Sequence, residues 1–314
     1  MPDTDDIILY LHTIRDFIRW GASRMNEAGI HFGHGTANGI DEAAFLVLHG
    51  LHLPPNLHDD YFDAALTLAE RRTVLGLLEQ RIRERKPAAY ITQRAWFMGL
   101  PFYVDERVLV PRSPMAELIE HHFAPWLLNV NIDAIETILD LCTGSGCIGI
   151  ACAYAFPQAR VDLADISAEA LEVAQRNIRE HGLEHRIEAI QSDLFAALDR
   201  RRYDLIVSNP PYVSLAEMNR LPTEYHHEPA VGLLAGDRGL DVIVEILRQA
   251  PDFLNPEGIL VVEAGKTHHA LSDAFPAAPF MWLELERGGE GIFLLAAEQL
   301  RACSELFAGA KEPL

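Results

Sequence analysis

Apolar and polar positions divide the chain into a helical first third and a longer stretch where short strands alternate with helices. Asp5 to Ala28 places Ile7, Ile8, Leu11, Ile14, Phe17, Ile18 and Met25 near helical spacing, which predicts one helix. Ile40 to Leu51 predicts a second, ended by Pro54-Pro55. A third runs from about Asp60 to Lys86, with Leu66, Leu68, Val74, Leu77, Leu78 and Ile82 as its stripe, until Pro87 stops it. Residues 1–88 therefore read as a small helical domain without strands.

The pattern changes over residues 89–112, a β-hairpin linker. Trp96-Phe97-Met98 and Phe102-Tyr103-Val104 flank Gly99-Leu100-Pro101, and Val108-Leu109-Val110 reads as a further strand. Ser113 is placed to cap a helix beginning at Pro114. Residues 113–314 then give seven short apolar runs: Thr137–Leu141, Val161–Asp165, Ile187–Gln191, Tyr203–Ser208, Gly258–Glu263, Phe280–Glu286 and Ile292–Leu295. Helical segments such as Cys147–Tyr154 and Asp241–Leu254 fall between them, and Gly288-Gly289-Glu290-Gly291 reverses the chain before the last run. The fold class is α/β: a Rossmann-like, doubly wound, seven-stranded sheet whose last strand is antiparallel.

Length and charge narrow the functions. With 314 residues, 49% hydrophobic and 23% charged, the chain has material for two domains and a sizeable core. The acidic start lacks a signal region and no uncharged run approaches membrane-spanning length, so the cytoplasm is the expected compartment, with no membrane partner. Residues 1–112 carry 15 acidic and 12 basic side chains, and the remainder 31 and 14, out of a net −20. Such a field repels free DNA and favours a basic partner. The four cysteines form no Cys-x-x-Cys pair and read as small buried thiols, while His121-His122, His226-His227 and His268-His269 lack metal-ligand spacing; no metal is expected. Arg71, Arg72, Arg81, Arg83, Arg85 and Lys86 on the third helix read either as a solvated face or as a contact for RNA.

The chemistry gathers at the predicted strand ends. After Thr137–Leu141 come Cys142-Thr143-Gly144-Ser145-Gly146, a small-residue loop that lets a ligand approach the backbone closely. Asp165 lies nineteen residues after Gly146, where a strand-end acid meets a ribose. The loop lacks the Gly-x-Gly-x-x-Gly order, so an adenosyl group with an amino-acid tail fits better than a dinucleotide. Asp193 can accept from an adenine amino group, or cap a helix, and Phe195 offers an apolar surface to a purine. Tyr203–Ser208 ends in Asn209-Pro210-Pro211-Tyr212. Two prolines force a rigid loop there, and the stretch reads either as a turn with a buried tyrosine or as a grip on a planar NH2 group. In the second reading the Asn209 oxygen and Pro210 carbonyl accept and the Tyr212 ring stacks. Glu228 reads equally as support behind the substrate or as an acceptor for backbone N–H groups.

These motifs in this order, Asp-Leu-Cys-Thr-Gly-Ser-Gly, Asp-Ile-Ser, Ser-Asp-Leu-Phe and Asn-Pro-Pro-Tyr, resemble the HemK-like S-adenosylmethionine-dependent protein-glutamine methyltransferases over nearly the whole chain. Val110–Ile119 and Glu224–Pro229 are similar to the PrmB branch, whose substrate is a glutamine of large-subunit ribosomal protein L-three. The sister branch, which modifies release factors, has Arg-Pro-x-Thr-Glu where this chain has Arg112-Ser113-Pro114-Met115-Ala116-Glu117. The resemblance implies a class I methyltransferase domain over 113–314 and substrate recognition by residues 1–88. It implies S-adenosylmethionine as cofactor and S-adenosylhomocysteine as product. It places Cys142, Thr143, Gly144, Ser145, Gly146, Asp165, Asp193, Phe195 and Asn209 at the cofactor, and Asn209, Pro210, Pro211, Tyr212 and Glu228 at the substrate. The implied partner is a basic ribosomal protein, free or in an assembling large subunit. An adenine-N6 DNA methyltransferase and a non-catalytic assembly module are the remote alternatives.

Overall fold

The computed structural model describes residues 4–124, 134–199 and 201–309. It falls into two compact units, residues 1–95 with 222–227, and 96–221 with 228–314.

The first unit is helical, as predicted, but its first helix breaks in two and its third starts later. The predicted Asp5–Ala28 helix is two, α1 (Thr4–Tyr10) and α2 (Ile14–Glu27). Thr13 interrupts it with a capping box: its hydroxyl accepts the Asp16 N–H and the Asp16 carboxylate accepts the Thr13 N–H. α3 is Gly39–Gly50. The predicted Asp60–Lys86 helix shortens to α4 (Leu68–Glu84), because Thr67 and Glu70 form a second box and Asp59–Tyr61 is a separate 3-10 turn. α5 (Ala88–Thr92) follows. Phe17, Met25, Leu46, Val74 and Leu78 meet in the core.

Within that core lies an ion cluster. Arg81 of α4 is fully buried; it bonds Glu42 of α3, donates to the His31 carbonyl at 3.0 Å and stands 3.7 Å from Glu224. Arg85 donates to the Ala28 and Gly29 carbonyls and pairs with Glu224 at 2.9 Å, and Arg71 donates to the Leu66 and Ile8 carbonyls. Arg71 and Arg81 of α4 and Arg85 just after it thus hold the unit together, so these three are not part of a solvated or RNA-facing row.

The second unit begins within the hairpin of β1 (Ala95–Phe97) and β2 (Leu100–Phe102), at Trp96. Val108 to Val110 forms no strand, because the Val110 N–H goes to the Glu228 carboxylate instead of a neighbouring backbone. After α6 (Met115–Glu120) come β3 (Thr137–Leu141), α7 (Cys147–Ala155), β4 (Arg160–Asp165), α8 (Ala168–Glu180), β5 (Ile187–Gln191), β6 (Tyr203–Ser208) and the short α9 (Leu215–Met218). The chain ends with α10 (Asp241–Phe253), β7 (Leu254–Glu263), α11 (His268–Ala274), β8 (Met281–Trp282), β9 (Ile292–Ala296), α12 (Ala297–Ala302) and α13 (Ser304–Ala308).

The seven-stranded sheet has the order β5-β4-β3-β6-β7-β9-β8, and β9 runs antiparallel to both its neighbours. The predicted Phe280–Glu286 strand contracts to the two paired residues of β8. One face of the sheet is covered by the apolar sides of α6, α7 and α8, with Met115, Ile119, Ile150, Ala151 and Ile178 in that layer. The other face is covered by α10, α12 and α13, with Ile243, Leu247, Leu300 and Phe307. Strand order proceeds outward from β3 to β4 and β5, then returns to β6 on the opposite side of β3. The switch point between β3 and β6 is where open α/β sheets leave a crevice for ligands.

Candidate active site

Strand register brings the sequence motifs together. Leu141, the last residue of β3, pairs with Ala164 on one side and Ser208 on the other, and Asp165 pairs with Gln191 of β5. The residues that follow these positions therefore leave the sheet side by side: the Cys142–Gly146 loop, Asp165, Asp193 and Asn209.

The loop is held from beneath. Asp140 is fully buried, and one of its oxygens accepts the Thr143 hydroxyl at 2.6 Å and the Gly149 N–H at 2.8 Å, while Oδ1 has no partner. Burial is the main force pushing this carboxyl up to about 7, opposed by those two donors. Asn177 of α8, also fully buried, donates to the Ser145 carbonyl at 2.8 Å and exchanges bonds with Tyr103. The Thr143 and Ser145 side chains are buried in this scaffold, so the loop faces the crevice mainly through Cys142 and Gly144. Gly144 has φ +54 with nothing within 4 Å of a Cβ position, leaving its backbone open to a ligand. Cys142 also lies in the left-handed region, at φ +58, and burial raises its thiol well above the usual range. It stays a protonated thiol, not a nucleophile.

Asp165 accepts the Gly144 N–H and the Ser167 N–H, each at 2.9 Å, and burial still raises its carboxyl. Asp193 is exposed at the crevice mouth. Phe195, however, sits in the core, 1% exposed and stacked on Phe253. Leu194, at φ +46, turns toward the crevice in its place.

Of the Asn-Pro-Pro-Tyr stretch, Asn209 and Pro211 line the crevice, and Pro210 is buried. Among the described residues nothing bonds the Asn209 carboxamide. Tyr212 lies behind the loop with its hydroxyl on Glu263 at 3.1 Å. Glu228 is 4% exposed; it takes both Arg112 guanidinium nitrogens and the Val110 N–H at 3.0 Å. Its carboxylate is thus spent on anchoring residues 110–112.

The crevice is a cavity of about 370 Å³, within the range of small-molecule sites. Val108, Leu109, Ile166, Leu194 and Ala170 give it an apolar lining, and Asp165, Asp193, Asp241 and Glu245 surround it with carboxylates, while Arg107 is bound to Asp105 and Glu172. Asp241 Oδ1 is enclosed without a partner, and burial with nearby Asp237 raises that carboxyl. Arg107, Ile166, Leu194, Asp241 and Glu245 were not among the sequence candidates. A larger cavity, about 570 Å³, opens at the amino ends of the strands; there Arg201 is neutralised by Asp162 and Glu188. An apolar slot ringed by carboxylates, with an open glycine backbone at its floor, fits a cationic nucleoside and disfavours a pyrophosphate. Among the described residues no group of His, Cys, Asp and Glu is arranged to hold a metal ion, and no helix is long and apolar enough to cross a membrane.

Comparison with known proteins gives the following. Residues 124–224 match the methyltransferase small domain family. The ribosomal protein uL3 glutamine methyltransferase of Bordetella pertussis is 49% identical over 290 residues, covering 92% of this chain and 97% of that protein. The protein of the same name from Francisella tularensis is 45% identical over 302 residues, 96% of each chain. A methyltransferase structure from Pyrococcus furiosus is similar over 63% of this chain and 89% of its own, with 20% identity and a TM-score of 0.45.

Proposed function

The chain belongs to the ribosomal protein uL3 glutamine methyltransferase family, and from that membership we propose how its crevice carries out glutamine methylation. The enzyme transfers a methyl group from S-adenosylmethionine to the side-chain amide nitrogen of a glutamine in ribosomal protein L3, leaving N5-methylglutamine and S-adenosylhomocysteine. The release-factor alternative is not favoured, since both relatives carry the uL3 name.

The cofactor supplies an activated methyl on a positively charged sulfur, so the protein's task is to position the acceptor and exclude water. In this reading Asp165 takes the ribose hydroxyls with the lone pairs its two backbone donors leave, and Asp193 takes the adenine amino group. Ile166 and Leu194 flank the purine, Leu194 assuming the part expected of Phe195. The backbone at Gly144 lies against the amino-acid tail.

An amide nitrogen is a weak nucleophile because its lone pair is delocalised into the carbonyl. The Asn209 side-chain oxygen and the Pro210 carbonyl each accept one substrate N–H, which aims the nitrogen for in-line displacement. Both contacts strengthen as positive charge develops on nitrogen, so they stabilise the transition state more than the ground state. Pro211 keeps the loop rigid, and the Tyr212 ring packs against the amide or its methylene stem. Glu228 acts at a distance, by fixing Arg112 and the chain around it. Methyl transfer releases neutral S-adenosylhomocysteine and leaves the amide nitrogen cationic; in that state it is acidic enough to lose a proton to water and give the neutral N5-methylamide, so no strong base is required.

The substrate is a basic protein, matched to the excess of carboxylates after residue 112, met in the cytoplasm either free or in an assembling large subunit; free DNA is repelled by the same charge. The helical unit, residues 1–88 with the Pro222–His227 strap, recognises that protein.

The observation that carries this reading is the meeting of Asn209 with Gly144, Asp165 and Asp193 on one cavity. The test is incubation with labelled cofactor and separated ribosomal and release-factor proteins, followed by mass-spectrometric mapping of the modified residue. Label on a glutamine of L3 is expected; label confined to release factors or to nucleic acid overturns it. Asn209→Ala should raise the barrier by about 2–4 kcal/mol with cofactor affinity unchanged. Lost cofactor affinity with an intact rate at saturation refutes the role given to Asn209.

A further inference from the structure

Glu263 ends β7, and the register of β7 with β6 sets Val262 against Ser208, so Glu263 stands level with Asn209. It is only 5% exposed, yet it is a carboxyl group with two hydroxyls aimed at it. The Tyr212 hydroxyl donates to Oε1 at 3.1 Å and the Ser113 hydroxyl to Oε2 at 2.5 Å. Ser113 is itself fixed, because its oxygen accepts the Met115 N–H at 3.1 Å at the start of α6. Burial raises this carboxyl, and the two hydroxyl donors with the nearby Arg112 charge oppose the rise.

Tyr212 is pinned elsewhere as well. A Cβ at Gly265, which has φ +50, would lie 2.6 Å from the Tyr212 ring. One at Gly239, φ +75, would lie 2.2 Å from the Tyr212 carbonyl oxygen. Both positions are held by glycine in a backbone conformation that side chains rarely adopt, so ring and backbone are each pressed from one side. A ring wedged in this way can still swing about its Cα–Cβ bond unless its far end is tied. The tie is Glu263.

We propose that Glu263 is a positioning residue for the methyl-transfer site: braced by Ser113, it fixes the Tyr212 ring so that the acceptor amide is presented to Asn209 in one orientation. This inference rests on the reading of Tyr212 as a substrate-packing residue. Glu263 touches neither substrate nor cofactor and acts only through the tyrosine.

The test is a double-mutant cycle on kcat with L3 as substrate, run alongside cofactor binding. Glu263→Ala and Tyr212→Phe should each lower kcat about tenfold with the cofactor Kd within twofold of the parent. The double variant should be no slower than either single one, because both remove the same tie. Glu263→Gln, whose amide can still bond both hydroxyls, should recover activity to within about threefold. If Glu263→Ala folds poorly, Ser113→Ala paired with Tyr212→Phe gives the same cycle with a smaller perturbation. Losses that multiply to about a hundredfold, or a carboxamide variant as poor as alanine, would show Glu263 to be a general structural residue. No glutamine methylation by the unaltered enzyme would instead refute the functional reading itself, so the two failures are distinguishable.

Discussion

Replacing Asp140 by asparagine should remove a pH dependence of stability that the glycine-rich loop imposes on the fold. In the folded protein this carboxyl is fully buried and raised to about 7, against 3.8 for an ordinary aspartate. The folded state therefore holds a proton that the unfolded state releases, and stability falls as pH rises through that interval. At 1.36 kcal/mol per unit, the whole span is worth about 4 kcal/mol, and two-thirds of it is lost between pH 5 and 8. The asparagine has no charge to desolvate and keeps an oxygen for the Thr143 hydroxyl and the Gly149 N–H. Its NH2 enters the position of the unpartnered Oδ1, at a cost of about 1–3 kcal/mol that does not vary with pH. Urea unfolding of both proteins at half-unit steps from pH 5 to 8 isolates the effect, since other titrating groups cancel in the difference. Relative to the variant, the parent should lose about 2–3 kcal/mol across that range. A difference that stays flat with pH would mean that Asp140 is ionised throughout, and that the loop's two donors outweigh burial.

Other perturbations probe separate parts of the molecule. Arg81→Met should destabilise the helical unit by about 3–5 kcal/mol, because it leaves the buried Glu42 carboxylate without its arginine and leaves Glu224 with Arg85 alone; a loss under about 1 kcal/mol in thermal unfolding would show that water or protonation relieves Glu42. Asp165→Ala should weaken cofactor binding by about 1–3 kcal/mol, read by titration calorimetry, with kcat at saturation changed far less; unchanged affinity refutes its place at the ribose. Gly239→Ala should cost about 1–2 kcal/mol for the left-handed backbone alone, and should lower activity further by displacing Tyr212; a fully active variant would show that this loop yields without moving the tyrosine.

What could be read from the sequence follows from how each element is stabilised. β3 and β6 have the bounds their apolar runs predict, because central parallel strands are mostly buried apolar segments; β5, an edge strand with Glu188 and Gln191 exposed, keeps its predicted bounds too. The edge strand β8 contracts to two residues, since apolarity persists beyond the last ladder bond. α1 and α2 merged in the periodic reading because apolar spacing runs on across Thr13, although Thr13 and Asp16 carry the capping-box pattern that splits them.

The site divides along the same physical line. Gly144, Asp165, Asp193 and Asn209 were legible because a parallel sheet delivers whatever follows its strands to one edge; knowing the strand ends is enough. Phe195 failed because a left-handed backbone at Leu194 reverses which neighbour faces the cavity, and no periodicity records a single φ. Arg107, Asp241 and Glu263 arrive from a loop, a helix start and a strand end distant in sequence, placed by tertiary packing. The motif residues that line the crevice are thus placed by the strand ends, whereas the residues that hold them still are set by contacts 32 to 150 positions apart, as Asn177 on Ser145 and Ser113 on Glu263 are. Substitutions at such supports should leave cofactor affinity largely intact and show first in the rate, because they loosen geometry without deleting a contact.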